Sequence, residues 1–120
     1  MNNSCPKFGD VFFAALNGDG HVQGGIRPVV IAQNDMGNKY SPVIGVIPMT
    51  SKVDKAKHLP VHVVIPADDA NGLSTDSVVL TEQMRTIPAE HLLSRMGFLN
   101  RDSLVRIGKA LAIQFPFPFS

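Results

Sequence analysis

The 120-residue sequence has no tryptophan, one tyrosine and one cysteine. A single cysteine excludes an intramolecular disulfide framework, so the fold must rest on its core, and this usage suits a reducing compartment. Cys5 lies in "MNNSCPKFGD", a polar stretch without the apolar centre of a signal peptide. No apolar run approaches membrane-spanning length. Charge is scarce as well: 18% of residues are charged and the net charge is +1, which gives no bulk field to attract nucleic acid. Any phosphate binding must therefore be a local arrangement of Arg and Lys. Repeats, low-complexity linkers and like-charge blocks are absent too. The expectation is one cytoplasmic domain over 1–120, with 1–7 a flexible tail and 116–120 an irregular one.

What is present is a series of short apolar runs. "DVFFAAL" (10–16) ends at "NGDG", "RPVVIAQ" (27–33) stops at "NDMGN", and "VIGVIPMTS" (43–51) carries Pro48. After a polar "KVDKAK" come "VHVVI" (61–65) and "SVVLTEQ" (77–83). Five such runs between turn signals predict a mainly β fold, a small barrel or strongly bent sheet. Pro28 and Pro48 point to strand starts, edges or bulges, since proline cannot donate to a ladder. Helix is expected only late. "PAEHLLSRM" (88–96) has Pro88 at a natural first position, and "NRDSLVRIGKALAIQF" (100–115) repeats Leu104, Ile107 and Leu111 at helical spacing. Asn100 or Asp102 is suited to cap the second.

Chemistry-bearing groups sit at the ends of these runs. Arg27, between the pair Gly24–Gly25 and Pro28, reads either as a solvated flank or as a fixed cation aimed at an anion. Thr50 and Ser51 close one run, and Glu82, Gln83, Arg85 and Thr86 close another. Hydroxyls at such places are commonly turn formers. His58 and His62 are four apart in a segment read as strand, with no nearby carboxylate to complete a ligand set, so no metal and no cofactor is expected. His21 lies in the glycine-rich loop six residues before Arg27, where spacing alone favours a solvated histidine. No nucleophile elbow, P-loop or dinucleotide fingerprint is present.

Taken together, "GDVFFAAL", "QGGIRPVVIAQNDMGNKYSP", "PMTS", "DSVVLTEQMRTIP" and the closing helix resemble the MazF/PemK-type toxins, collinearly from about Phe8 to Leu111. The resemblance implies an SH3-like barrel with appended helices, a homodimer, and metal-independent cleavage of single-stranded RNA at short sequences. It also implies a MazE-like antitoxin partner. It carries catalysis to Arg27 and Thr50, with Ser51 beside them. RNA contacts fall on Phe13, Gln23, Gly25, Asn34, Gln83, Arg85 and Thr86. His21 matches an acid–base histidine of the PemK-like branch. That branch places an arginine and an aspartate where this chain has Leu80 and Glu82, which shifts the weight toward Arg27 with Thr50.

RNA brings its own nucleophile, the 2′-hydroxyl beside the scissile phosphate. A guanidinium suits stabilisation of the developing phosphorane charge, being a planar fork that stays charged and a poor base. His21 or Glu82 is left for acid–base work. Two other functions compete. The CcdB-type gyrase poisons look like the same barrel and use an exposed carboxyl-terminal aromatic, and this chain ends in "FPFPFS". A non-catalytic RNA-binding barrel would bind with steep salt dependence and leave the strand intact.

Overall fold

The computed structural model describes residues 5–18, 22–56 and 59–118. The expected runs form strands β1 (Asp10–Leu16), β2 (Gly25–Ile31), β3 (Val43–Thr50), β4 (His62–Ile65) and β5 (Ser77–Leu80). Two more follow, β6 (Arg85–Pro88) and β7 (Leu92–Phe98). All pairings are antiparallel in one seven-stranded sheet ordered β4-β5-β3-β2-β1-β7, with β6 also on β3. Thus the mainly β fold with a carboxyl-terminal helix, expected above, is the one adopted.

The apolar runs are nearly continuous because β2 and β3 are buried on both faces. Val30, Ile47 and Met49 join Val11, Val63, Ile65 and Val79 in one core. The alternate residues Val29, Ile31 and Val46 join Ala14, Ile44 and Ile87 in a second. Helix α3 (Arg101–Gln114) covers the first core through Ile107 and Ala110, with Leu104 and Leu111 packed beside them. Asn100 is the cap, its side-chain oxygen accepting from the Ser103 amide at 2.8 Å.

One edge of β3 serves two partners in succession. Residues 43–46 pair with β6, and Met49 and Thr50 pair with β5. Pro48, without an amide proton, stands in the gap between them. There the chain leaves the sheet as a 3-10 turn, Thr81–Gln83, that joins β5 to β6.

The helix expected over 88–96 does not form. Only Ala89–His91 makes a 3-10 turn, and Leu92–Phe98 pairs with β1 instead. Leu92, Leu93 and Met96 do fall at helical spacing. However, the β1–β7 ladder shifts register twice, which blurs the alternation that marks a strand. Gly97 also disfavours helix, and a Cβ there would strike the Ala70 carbonyl oxygen packed over β7. Two short helices went unread: α1 (Asp35–Tyr40) within the supposed stop "NDMGN", and α2 (Val53–Ala56) in the polar stretch.

The Asn100 cap gives a direct test. Asn100→Ala should cost about 1 kcal/mol in urea unfolding, whereas Asn100→Gly should cost only about a few tenths. No measurable loss in Asn100→Ala would show that the side-chain bond to Ser103 contributes little.

Candidate active site

Arg27 and Thr50 are 23 residues apart in sequence, and the β2–β3 ladder brings them level. Val29 faces Pro48 and Ile31 faces Val46, so the same register carried two residues on sets position 27 opposite position 50. Opposed residues of an antiparallel pair share a face. A cleft of about 270 Å³ opens at this end of the sheet, lined by Phe13, Ile26, Arg27, Pro28, Thr50 and Ser51 among others.

Gly25 opens β2 with φ at +80°, a left-handed turn that glycine alone takes without strain. That turn brings the Gly24 carbonyl to the side chain of Arg27, whose Nε–H donates to it at 2.7 Å. Among the described residues the two terminal NH₂ groups of Arg27 make no further hydrogen bond. The guanidinium is therefore gripped by its inner nitrogen and presents its fork. Thr50 is buried, and its hydroxyl oxygen accepts from the Lys52 amide at 3.2 Å, which leaves its proton available to donate. Ser51 is exposed beside it.

The far wall is Leu73, Ser74, Thr75, Ser77 and Met96. These residues drew no attention in the sequence because "STDS" reads as ordinary turn chemistry. Here it adds hydroxyls to a cleft whose lining, among the described residues, has one guanidinium and no carboxylate. Asp76, the nearest acid in sequence, is turned away, accepting from the Ala67 amide at 2.8 Å.

The remaining candidates separate into distinct places. Phe13 lines the cleft. Asn34 caps α1, its side-chain oxygen accepting from the Gly37 amide at 2.8 Å. Thr86 is exposed on β6 opposite Gly45. Glu82 projects from the 3-10 turn onto His62, with Oε2 at 2.9 Å from Nε2, and neither residue lines the cleft. Gln83 accepts from the Gln23 amide at 2.7 Å, and Arg85 donates to the Asn17 carbonyl at 2.9 Å. Burial lowers the pKa of Arg85 from its ordinary value by desolvating the charge. His21 and His58 lie outside the described residues. Among the described residues no three His, Cys, Asp or Glu side chains converge on one point, and no helix is long and apolar enough to cross a membrane.

A family model described as "PemK-like, MazF-like toxin of type II toxin-antitoxin system" matches residues 7–115. The chain belongs to this toxin family. Endoribonuclease MazF of Staphylococcus epidermidis is 44% identical over 106 residues, covering 88% of this chain and 87% of that protein. Among solved structures, MazF from Deinococcus radiodurans superposes with a TM-score of 0.81 at 24% identity, covering 96% of this chain and 100% of that one. A mycobacterial endoribonuclease in complex with its cognate antitoxin gives 0.76 at 21% identity, over 96% and 99% of the two chains. These two likenesses are of fold. The toxin family thus supplies a β scaffold whose open end, in this chain, holds Arg27 against Thr50.

The His62 side chain is tucked in and Glu82 reaches it from an exposed position, so their contact is partly open to solvent. A double-mutant cycle with His62→Ala and Glu82→Ala should give a coupling energy of about 0.5–1 kcal/mol. Zero coupling would mean the 2.9 Å contact contributes nothing to stability in solution.

Proposed function

We propose that this toxin is an endoribonuclease that cuts single-stranded messenger RNA at short sequences, and that the cleft of Arg27 and Thr50 holds the scissile phosphate. The observation that carries this reading is the Arg27 guanidinium, fixed through Nε and presenting its fork in a cleft lined, among the described residues, by hydroxyls and no carboxylate. The 44% identity to an endoribonuclease supports the same class of reaction.

In the proposed reaction the substrate 2′-hydroxyl gives up its proton and the O2′–P bond forms. The P–O5′ bond then breaks, and the departing 5′-oxygen takes a proton. The products are a 2′,3′-cyclic phosphate (or, on hydrolysis, a 3′-phosphate) and a 5′-hydroxyl end. Arg27 meets the charge that grows on the non-bridging oxygens, and Thr50 donates from its hydroxyl to the phosphate or to O2′. Ser51 extends that set of donors. Glu82 is engaged by His62, so the acid–base role is assigned to His21. Phe13 offers a face on which a base can stack. The nucleophile comes with the substrate and the charge is met by a guanidinium, so the reaction needs no metal ion.

The same reading gives the toxin a cytoplasmic site of action and a MazE-like antitoxin. An acidic segment of that antitoxin would compete with RNA, since a carboxylate satisfies an arginine poised for phosphate. It also makes the active species a homodimer, to which the apolar groove lined by Met84, Leu111, Phe115 and Phe117 at the carboxyl-terminal end of α3 lends support.

Arg27→Lys should lower kcat by about a hundredfold with the fold intact, since lysine keeps the charge and loses the fork. Wild-type rates in that variant would reduce Arg27 to a solvated flank.

The chemistry has its own test. Replacing the single ribose 5′ to the scissile phosphate by deoxyribose should abolish cleavage there and leave binding nearly unchanged, while excess EDTA leaves cleavage of intact RNA untouched. Cleavage that tolerates the deoxy substitution and stops with the chelator would point to a metal-activated water and overturn this mechanism.

A further inference from the structure

The loop before Arg27 has a closed neck, and the closure is built on both sides. Its two stems touch backbone to backbone: a Cβ on Gly18 would lie 2.5 Å from the Cα and amide nitrogen of Gly24, and a Cβ on Gly24 would lie 2.6 Å from the same atoms of Gly18. No side chain fits between them. Immediately beside this contact, Gln83 from the 3-10 turn and Arg85 from the start of β6 clasp one stem each. Arg85 donates to the Asn17 carbonyl at 2.9 Å, and Gln83 accepts from the Gln23 amide at 2.7 Å. The two clasping residues also touch each other, with guanidinium nitrogens 3.4 Å from the Gln83 backbone and side-chain oxygens. The bonds span 68 and 60 residues, so they tie the loop's stems to the turn before β6 and to β6 itself.

The neck ends at the atom that grips Arg27. Gly24 contributes its backbone to the contact with Gly18 and its carbonyl to Arg27 Nε. We infer that Gln83 and Arg85, with the Gly18–Gly24 contact, are positioning elements that fix the Gly24 carbonyl and through it the plane of the Arg27 fork. Arg85 is here a structural cation, half-buried and turned onto a carbonyl, and not a phosphate ligand. The physical need is specific. A long side chain at the mouth of an open cleft samples many rotamers, and a bidentate donor contributes to catalysis only when its plane is set before the substrate arrives.

The inference deepens the RNA-cleaving reading, and its first readout does not require that reading. With ¹⁵N-labelled arginine, Arg27 Hε should exchange slowly with solvent in the wild type. In Arg85→Met it should exchange much faster, because the carbonyl that holds it has been released. Gly18→Ala, which forces the neck apart from the other side, should do the same. Either variant alone decides the matter if the other fails to fold, and Arg85→Lys, which keeps one donor for Asn17, should restore part of the protection. Unchanged Arg27 Hε exchange in both disrupting variants would overturn the proposal, whether or not the protein cuts RNA.

The kinetic arm rests on the RNA-cleaving reading. In Arg85→Met, kcat should fall by about tenfold to a hundredfold with KM unchanged, the pattern of a misplaced catalytic group. Binding of RNA with deoxyribose at the cut site should keep its salt dependence. A slope of log Kd against log salt that is shallower by about 0.7 would instead count one lost phosphate contact. That result would make Arg85 a direct RNA ligand and contradict the role assigned here.

Discussion

Everything at the proposed site depends on how strand β3 shares its hydrogen bonds. On one side it pairs with β2 from Val46 to Pro48, and this register alone sets Thr50 level with Arg27. On the other side it passes from β6 to β5, and Pro48 stands where neither partner bonds. An amide there would ask for an acceptor, and a continuous ladder would follow. Without it the chain from Thr81 to Gln83 is free to leave the sheet, carrying Glu82 toward His62 and Gln83 toward the loop. One missing donor thus accompanies both the alignment of the cleft and the clasp that supports it.

The arrangement also separates charge in a useful way. Two acids that follow the cleft's far wall in sequence are occupied elsewhere: Asp76 by the Ala67 amide and Glu82 by His62. The cleft keeps hydroxyls and one guanidinium. With a net charge of +1 the protein offers little bulk attraction to an anion, so a local cation such as Arg27 carries more of that task.

Much of this was legible in the sequence, for identifiable reasons. The strands at 10–16, 43–50, 62–65 and 77–80 are β-branched or aromatic runs between turn residues, a signal that burial on both faces strengthens. The final helix announced itself through Asn100 and the Leu104–Ile107–Leu111 repeat. Residues 92–98 misled, because the twice-shifted ladder with β1 erased the strand alternation while two leucines and a methionine mimicked a helical stripe. α1 was hidden inside "NDMGN", whose Asn34 is a helix cap and not a stop. At the proposed site, Arg27, Thr50 and Ser51 stand out as polar groups at the ends of apolar runs, and the family resemblance adds Phe13. Ser74, Thr75 and Met96 do not stand out, because no local pattern shows that a turn and a distant edge strand will close over the same cleft. The resemblance points to Gln83 and Arg85 as RNA contacts, and the structure shows in addition what they hold within the protein. Their bonds to Asn17 and Gln23 connect residues 68 and 60 positions apart, which spacing cannot reveal.

The central claim is that Arg27 and Thr50 together grip one phosphate. A crystal structure with an RNA made uncleavable by a single deoxyribose at the cut site tests it most directly. The account predicts the scissile phosphate in the cleft, with both terminal nitrogens of Arg27 at about 2.9 Å from its non-bridging oxygens and the Thr50 hydroxyl within hydrogen-bond reach. RNA bound in register with its scissile phosphate elsewhere, and Arg27 still facing solvent, would contradict it.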